Sequence, residues 1–388
     1  MKIAGIIAEY NPFHKGHAYH IEQTRLRTGC DYVVVCMAGS FTQRGEAACA
    51  DKWSRARAAL CCGADAVFEL PALFAVRTAD AFARGGVGIL SHLGCDCLSF
   101  GSETDDLKLI SHLAELRSCE PAELSLTIRK KLDAGLSHAR ARGEALSEML
   151  GVSAAFLNAP NLVLAAEYLR AIHEQKSYMQ PVAVRRLGQY HDTALGDYAS
   201  ASAIRQALRS GNASAADCLP PEARFQIENA GSMHDMDDML LLTLRNMGAE
   251  GIAALPDVSE GLQDRIYAAA MQSAGREELI GRVKCKRYTY ARISRLCAHA
   301  LLGITQSFTL RHPLPEYARL IGLRSDAMPL MHELSRRTKL PIVSSATELR
   351  ENEIFSLECR ATDIRALLLD DADARRGGAE YTHRFVRV

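Results

Sequence analysis

The chain has 388 residues, which is enough for two or three domains of roughly 100–200 residues each. Its composition, 48% hydrophobic and 24% charged, excludes wholesale disorder and fibrous repeats. The 46 basic residues equal the 46 acidic ones, which at first argues against binding to polyanions. No apolar run reaches the length of a membrane span, about 18 residues, and the apolar stretch before Glu9 is too short for a signal-peptide core. We therefore expect a cytoplasmic protein.

The twelve cysteines raise the question of a metal site, but the chain contains no CxxC spacing. A zinc site of the ordinary knuckle type is therefore not expected, and no metal ligand is predicted. The cysteines are instead predicted to be small buried hydrophobic residues.

Up to residue 210, short β-branched runs alternate with helical stretches, a pattern typical of an open parallel sheet. The predicted strands are 3–8, 32–37, 66–70, 97–100 and 182–187. The predicted helices between the first four strands are 16–28, 51–62 and 78–93. Residues of about 105–177 contain helical runs and no strand-like run, and we expect them to form a helical insertion.

The pattern changes at residues 211–220, where two prolines interrupt the chain, and helical periodicity dominates over about 235–302. We therefore predict an α/β domain over 1–210 and a mainly α-helical domain over 211–388. One short strand is predicted in the second domain, at 340–344.

The neutral total conceals two oppositely charged regions. Residues 217–278 carry a net charge of −8, whereas residues 282–350 carry +9. Six cations and two tyrosines fall within the segment 282–295, without an acid: Arg282, Lys284, Lys286, Arg287, Tyr288, Tyr290, Arg292 and Arg295. Such a segment can hold RNA phosphates while tyrosines stack on bases. A solvated helix face that pairs with the preceding acidic region explains it equally well.

A histidine motif, His14-Lys15-Gly16-His17, follows the first predicted strand and opens the first helix. This position is the carboxyl edge of the sheet, where open α/β folds bind ligands and where helix N-termini attract phosphate. His14 and His17 share one side of the first turn, so both imidazoles can donate to a triphosphate. Two histidines at this spacing also make ordinary helix caps or core contacts.

A second helix start, Ser200-Ala201-Ser202-Ala203-Ile204-Arg205, follows the last predicted strand of the sheet. Hydroxyl groups at such a position cap the helix or bind phosphate, and Arg205 can donate to two phosphate oxygens. Taken alone, the two serines are more often a plain N-cap.

Together these elements resemble the nucleotidylyltransferase superfamily related to class I aminoacyl-tRNA synthetases. A longer set of ordered motifs resembles the bacterial tRNA(Met) cytidine acetate ligase family. These motifs are EYNPFH (9–14), MAGSFTQRGE (37–46), FELP (68–71), SFGSE (99–103), APN (159–161) and KRYT (286–289). Lys15 departs from the family's usual Asn, and Ser40 and Thr42 vary its usual Asn-Phe-Val.

The resemblance implies a Rossmann-like, HUP-type parallel sheet with a helical insertion, followed by a mainly α-helical C-terminal domain. It also implies a reaction in which ATP and acetate form acetyl-adenylate, which then acetylates N4 of the wobble cytidine of elongator tRNA(Met). The implied ligands are ATP with Mg²⁺, acetate and the tRNA anticodon loop. Neither a membrane nor an obligate protein partner is implied.

The resemblance further implies site residues. Those for ATP are Ile7, Ala8, Glu9, Tyr10, Asn11, Pro12, Phe13, His14, Lys15, Gly16, His17, His20, Gly101, Asn161, Arg186, Leu187, Ser200 and Ser202. The catalytic residues would be His14, His17 and Arg205. Residues for tRNA would be Arg282, Lys284, Lys286, Arg287, Tyr288, Arg292 and Arg295. Gln43, Arg44 and Lys52, just beyond the second strand, are candidates for an acetate or phosphate pocket.

Plainer explanations stay open for several of these residues: a turn at Gly101, a helix cap at Asn161, a surface ion pair at Arg186, and a pair of Arg44 with Glu46 or Asp51. Two other functions also stay open. One is a small-molecule adenylyltransferase of the same superfamily, and the other is an ATP-gated RNA-binding protein without catalysis.

Overall fold

In a computed structural model, the chain forms one mixed sheet flanked by helices. The structure describes residues 1–136, 138–187, 195–196, 198–228, 233–259 and 261–388. The strands are β1 (Ile3–Ala8), β2 (Tyr32–Ala38), β3 (Ala66–Leu70), β4 (Cys97–Ser102), β5 (Gln180–Arg185), β6 (Ala318–Leu323), β7 (Ile342–Val343) and β8 (Val386–Arg387).

The helices before β6 are α1 (Lys15–Thr28), α2 (Lys52–Cys61), α3 (Ala72–Ala75), α4 (Ala79–Leu93), α5 (Leu107–Ser118), α6 (Ala122–Asp133), α7 (His138–Leu150), α8 (Ala154–Leu157), α9 (Pro160–Glu174), α10 (Ala201–Arg209), α11 (Phe225–Glu228), α12 (Asp237–Ala253), α13 (Leu262–Gln272), α14 (Arg276–Val283), α15 (Tyr290–Leu302) and α16 (Gln306–Arg311). After β6 come α17 (Met328–Arg337), α18 (Glu353–Leu367) and α19 (Ala379–Thr382). No helix of the described residues is long and apolar enough to cross a membrane.

The sheet has the strand order β5-β4-β1-β2-β3-β6-β7, and β8 pairs with β6. The first five strands are all parallel, so their carboxyl ends meet at one edge. The order reverses at β1, which makes the ends of β1 and β4 the switch point where such sheets bind ligands. The five predicted strands are confirmed, although β5 begins and ends two residues earlier than expected, which leaves Arg186 and Leu187 just beyond it.

The helical insertion is confirmed: α5 to α9 follow β4 without a strand among the described residues. Helix α9 packs on α4 and on β4, and its buried side chains Leu162, Ala165, Ala166 and Tyr168 join the main core. This packing brings the N-terminus of α9 to the carboxyl end of β4.

The second half of the chain is mainly helical, as predicted, but it also completes the sheet. Strand β6 pairs antiparallel with β3, and all six of its residues are buried. Its Arg319 bonds to Glu69 of β3 at 2.9 Å and also pairs with Glu380 of α19. A charged residue in a short run conceals this strand in the sequence, because its burial depends on distant carboxylates. The domain division at 211–220 stays a prediction.

The twelve cysteines are free thiols. Cys36, Cys95, Cys97, Cys218 and Cys297 are buried, as predicted, whereas Cys119 is exposed. The prediction of burial is wrong for Cys119, which caps the end of α5.

Candidate active site

The histidine motif forms the N-terminus of α1. The backbone N–H of Gly16 donates to Nδ1 of His14 at 3.0 Å, and the backbone N–H of His14 donates to Nδ1 of His17 at 3.3 Å. The two imidazole rings stack, with 3.7 Å between their centroids. The motif is therefore a reciprocal helix cap, which was one of the two explanations left open by the sequence.

The cap determines which nitrogen of each ring carries the proton. Because Nδ1 accepts a hydrogen bond in both rings, each neutral imidazole is protonated at Nε2. Burial lowers the pKa of His14 to about 3, and the charges of Arg186 and Arg205 contribute. Burial also lowers the pKa of His17 well below its usual value. Both histidines are thus neutral at pH 7 and offer an Nε2–H donor, so capping and ligand binding are compatible.

Glycine at position 16 leaves room for the capping ring. A Cβ atom there would lie 2.9 Å from Cε1 of His14 and 3.1 Å from its Nδ1. Any other residue would displace the ring from the helix start. The glycine of the motif therefore makes room for the histidine ring itself, in addition to the ATP contact that the resemblance implies for it.

A cavity of about 250 Å³ lies at the carboxyl edge of the sheet, beside α1 and α10. Most of the predicted nucleotide residues line it: Ile7, Ala8, Glu9, Tyr10, Asn11, His14, Gly16, His17, His20, Gly101, Asn161, Arg186, Leu187, Ser200, Ser202 and Arg205. Gln43 and Arg44 line it as well. Residues from six separate stretches of the chain therefore lie around one cavity.

Arg205 connects the two predicted phosphate elements. Ser200 is the N-cap residue of α10, and its hydroxyl accepts from the backbone N–H of Ala203 at 3.1 Å. One turn further, Nη1 of Arg205 donates to the carbonyl of Asn11 at 2.8 Å, and Nη2 lies 3.8 Å from Glu46. The guanidinium group is thereby held across the cavity from α10 to the loop before α1.

Beside the ends of β4 and β5, a series of side-chain hydrogen bonds holds Arg186 in the cavity wall. Nη1 of Arg186 donates to Oδ1 of Asn161 at 2.8 Å, and Nδ2 of Asn161 donates to Oε1 of Glu103 at 2.8 Å. Glu103 was not among the predicted site residues, although it belongs to the SFGSE motif. It positions Asn161, and through it Arg186, at the ends of two neighbouring strands.

The loop 43–46 forms another wall and is held from two sides. Its Gln43 backbone N–H donates to Oε1 of Glu9 at 2.6 Å, and burial raises the pKa of Glu9. On the other side, the Ser294 hydroxyl of α15 donates to the carbonyl of Arg44. Gly45 has φ +72°, and a Cβ atom there would lie 2.4 Å from the carbonyl oxygen of Ser294. The loop therefore lies between Glu9, which follows β1, and helix α15, and it contacts both.

Residues 1–380 match the model of the HIGH nucleotidyl transferase family. The tRNA(Met) cytidine acetate ligase of Clostridium kluyveri is 36% identical over 389 residues, covering 95% of each chain. The enzyme of that name from a Thermoanaerobacter species is 34% identical, with full coverage of both chains. The chain belongs to the tRNA(Met) cytidine acetate ligase family. The resemblance seen in the sequence is confirmed.

A solved structure agrees with this membership. The crystal structure of Thermotoga maritima TmcAL bound with alpha-thio ATP is similar to this chain, with a TM-score of 0.91 and 28% sequence identity. The match covers 100% of each chain. An apo form of the same protein gives a TM-score of 0.92. The Rossmann-like nucleotidyl transferase fold is thereby confirmed for this ligase family member.

The cavity of this acetate ligase family member also has lining residues that the sequence reasoning missed. They are Tyr19, Phe82, Phe100, Pro160, Leu164, Tyr168, Val184, Arg185, Tyr198 and Ala201. Phe100 and Tyr168 contact each other, with 5.8 Å between ring centroids. Most of them lie within helices and strands, where their apolar spacing indicates only a core. The spacing on α9 from Asn161 to Leu164 and Tyr168 was the available signal.

Four of the residues predicted for the ATP and acetate sites do not line the cavity: Pro12, Phe13, Lys15 and Lys52. Phe13 is buried beneath the loop, with its backbone N–H and C=O each bonded to the Gln226 side chain at 2.9 Å. Lys52 is fully buried and pairs with Glu69 and Glu380. Lys52 therefore belongs to a structural ionic cluster, and its assignment to an acetate pocket is corrected.

The basic segment 282–295 divides into three kinds of residue. Lys284, Lys286 and Arg287 are exposed, as RNA contacts would need to be. Arg282 pairs with Glu278 at 2.7 Å, which fits the alternative of an internally paired helix face. Tyr288 is only 6% exposed and lies against the Arg292 guanidinium, so its assignment as a base-stacking residue is corrected.

Proposed function

We propose that this protein is an ATP-dependent acetate ligase that acetylates N4 of the wobble cytidine of elongator tRNA(Met). One observation carries the proposal: the histidine motif, the Ser200–Arg205 element and the loop 43–46 meet around one cavity at the sheet's switch point. Family membership supports the substrate assignment. The alpha-thio ATP bound to the Thermotoga maritima protein supports ATP as the nucleotide.

In the first step, an acetate oxygen attacks the α-phosphorus of ATP, and pyrophosphate leaves with the electron pair of the broken P–O bond. Negative charge spreads over the phosphoryl oxygens in the transition state. The Nε2–H groups of His14 and His17 and the guanidinium of Arg205 donate to those oxygens. Because the histidines are already neutral donors, this stabilisation needs no proton transfer. No protein nucleophile takes part.

Magnesium is proposed to enter with the triphosphate. Among the described residues, no group of three or more His, Cys, Asp or Glu side chains is arranged to hold an ion. Phosphate oxygens and water are ligands that Mg²⁺ commonly uses in such sites. The ion would therefore take its ligands from the triphosphate and water, while the donors of the cavity bind other phosphate oxygens. The ion would neutralise charge on the leaving pyrophosphate.

In the second step, N4 of the cytidine attacks the acetyl carbonyl carbon, AMP leaves with the acyl–oxygen electron pair, and N4 loses a proton. The base must leave its stack to enter the cavity, which is easiest in a single-stranded loop. The exposed cations Lys284, Lys286 and Arg287 are proposed to hold the RNA backbone. The reaction is assigned to the cytoplasm.

The test is exchange of labelled pyrophosphate into ATP with acetate, with propionate or without acid, each with and without tRNA. We expect acetate-dependent exchange without tRNA, and AMP with N4-acetylcytidine when tRNA is added. A stable adenylylated small molecule formed without RNA would instead indicate an adenylyltransferase. ATP left intact with acetate and tRNA would contradict the proposal and favour RNA binding without catalysis.

A further inference from the structure

Arg292 and Arg295 of α15 line a second, open pocket on the surface, together with Thr78, Asp257 and neighbouring residues. A third arginine comes from the N-terminal half of the chain. Arg77 directly precedes Thr78, the N-cap residue of α4. The charges of Arg77 and Arg292 both act on the guanidinium of Arg295. Arg292 and Arg295 therefore line the pocket, and Arg77, from a distant stretch of the sequence, lies close enough for its charge to act on Arg295.

Helix α15 is fixed against the segment that carries Arg77. His299, one turn after Arg295 on the same face of α15, has Nε2 at 2.5 Å from the carbonyl oxygen of Val76. His299 is fully buried, and burial lowers its pKa to about 3. A neutral ring donates this hydrogen bond through Nε2. Arg77, the next residue after Val76, is thereby held beside Arg295.

These cations have few anionic partners. Among the residues that the structure describes, neither Arg77 nor Arg295 makes a side-chain hydrogen bond or an ion pair within 4 Å, and Nε of Arg77 is buried without an acceptor. Arg292 has a buried Nε without an acceptor as well, and its Nη2 donates to the backbone carbonyl of Asp257 at 2.5 Å. Of the nearby carboxylates, Asp80 is shared with Arg84 at 3.8 Å. Asp257 acts only at a distance on Arg77 and Arg295.

Burial without pairing has a cost that a ligand can offset. Burial lowers the pKa of both Arg77 and Arg295, and Asp257 and Asp80 offset this only in part. The charge of Arg84 lowers the pKa of Arg77 further, and those of Arg292 and Arg77 lower the pKa of Arg295. An unpaired, partly desolvated guanidinium is expensive to maintain in a folded protein. An anion with several acceptor oxygens would satisfy the open donors and reduce the repulsion among the three cations.

We propose that Arg77, Arg292 and Arg295 form a binding site for a backbone phosphate of the tRNA. The site rests on the proposed function only for the identity of the RNA. A phosphodiester is favoured because the pocket is open and because Arg295 adjoins the loop 43–46, where a Cβ atom on Gly45 would lie 2.9 Å from Cα of Arg295. Ser294, the neighbour of Arg295, bonds the carbonyl of Arg44 in the loop that walls the cavity. A phosphate held by Arg295 therefore places the RNA strand beside the entrance to the nucleotide cavity.

The test compares Arg77→Gln with wild-type protein in binding to elongator tRNA(Met) across a series of salt concentrations. We expect the variant to bind about tenfold more weakly, as for loss of one charge-assisted hydrogen bond. The slope of log affinity against log salt concentration should fall by about one, as for one lost phosphate contact. Arg77→Lys, which keeps the charge, should retain most of the slope. Unchanged affinity and slope in Arg77→Gln would overturn the proposal.

The matched control is Arg376→Gln, which removes the same charge from a side chain that is 80% exposed and paired with Asp373. It should bind tRNA like the wild type, and an equal loss in both variants would mean that only net charge matters and would also overturn the proposal. Urea unfolding checks that Arg77→Gln is folded. If it is not, Arg295→Gln replaces it under the same criteria.

The experiments test the phosphate site separately from the proposed reaction. If wild-type protein shows no acetate-dependent pyrophosphate exchange but its tRNA affinity depends on Arg77, the reaction is wrong and the phosphate site stands. If exchange and acetylation occur but Arg77→Gln binds tRNA normally, the reaction stands and the phosphate site is wrong.

Discussion

The histidine site and the basic segment 282–295 were both predicted from short runs of sequence, yet they differ in how well the residues converge. The residues of the histidine site lie at the ends of parallel strands and at helix starts, which the fold brings to one edge. The residues of the basic segment follow one another through a loop and into α15, so their side chains point in several directions. Whether predicted residues come together in space is therefore determined by their position at the ends of strands and helices rather than by their residue type.

The two regions also use different electrostatics. At the histidine site two donors are neutral imidazoles whose pKa values are lowered by burial, and the third, the Arg205 guanidinium, is mostly shielded from solvent. In the basic segment the exposed donors are permanent cations that act through the solvent. The first region should therefore control chemistry with little dependence on salt, and the second should control RNA affinity with strong dependence on salt.

The largest expected effect comes from His17. The variant His17→Asn can keep an acceptor near the position of Nδ1 and so the helix cap, but it lacks the Nε2–H donor. Pyrophosphate exchange should fall about 10²–10³-fold, the usual cost of removing one donor to a developing oxyanion. Affinity for tRNA should stay within about twofold of wild type.

The matched variant is His17→Gln, whose amide nitrogen can occupy the place of Nε2 and donate there. It should retain more exchange activity than His17→Asn. If both variants lose exchange and tRNA affinity equally, the histidine is structural and the division between the two regions fails.

The next largest effect is expected from Lys286→Ala combined with Arg287→Ala. The loss of two exposed cations should weaken tRNA binding about tenfold or more at moderate salt and reduce the salt slope by about two. Acetate-dependent exchange without tRNA should continue, because neither side chain lines the cavity. Normal tRNA affinity in this variant, measured by filter binding, would show that the exposed cations only solvate the surface.

The same contrast explains what was predictable. Strands β1 and β2 contain no charged residue, and β3 and β4 are apolar enough to be recognised despite Glu69 and Ser99, so the site residues next to these strands follow from their position. Strand β6 was missed because Arg319 is buried only when Glu69 and Glu380, far away in sequence, surround it. Lys52 was misassigned for the same reason, and Tyr288 because its burial depends on packing between helices. No sequence pattern indicates Arg77, since the two arginines near it, Arg292 and Arg295, lie more than 200 residues later in the sequence.

A smaller effect concerns the pH dependence of stability, to which buried histidines such as His20 contribute. Burial lowers the pKa of His20 to about 4, whereas an unfolded histidine titrates near about 6.5. As the pH falls below about 6.5, the unfolded chain takes up a proton that the folded chain does not, so the free energy of unfolding decreases. Each such histidine contributes up to about 1.4 kcal/mol per pH unit.

The measurement is urea unfolding between about pH 7 and pH 5 for wild type and His20→Gln. The free energy of unfolding of the variant should decrease less over this range, by up to about 1.4 kcal/mol per pH unit. Lys286→Ala, outside the histidine site, should show the wild-type dependence. An equal slope in His20→Gln would mean that His20 titrates normally in the folded protein.

The smallest expected effect separates the two tyrosines of the basic segment. Tyr288 is buried, so Tyr288→Leu should lower stability by about 1–3 kcal/mol through lost packing but leave tRNA affinity unchanged. Tyr290 is 37% exposed and its hydroxyl donates to Glu277 at 2.6 Å, which makes Tyr290→Leu the matched change on an accessible ring. If a base stacks in this segment, Tyr290→Leu is the variant that should weaken tRNA binding, because stacking needs an open ring face. A folded Tyr288→Leu protein with tenfold weaker tRNA binding would show instead that α15 opens when RNA binds.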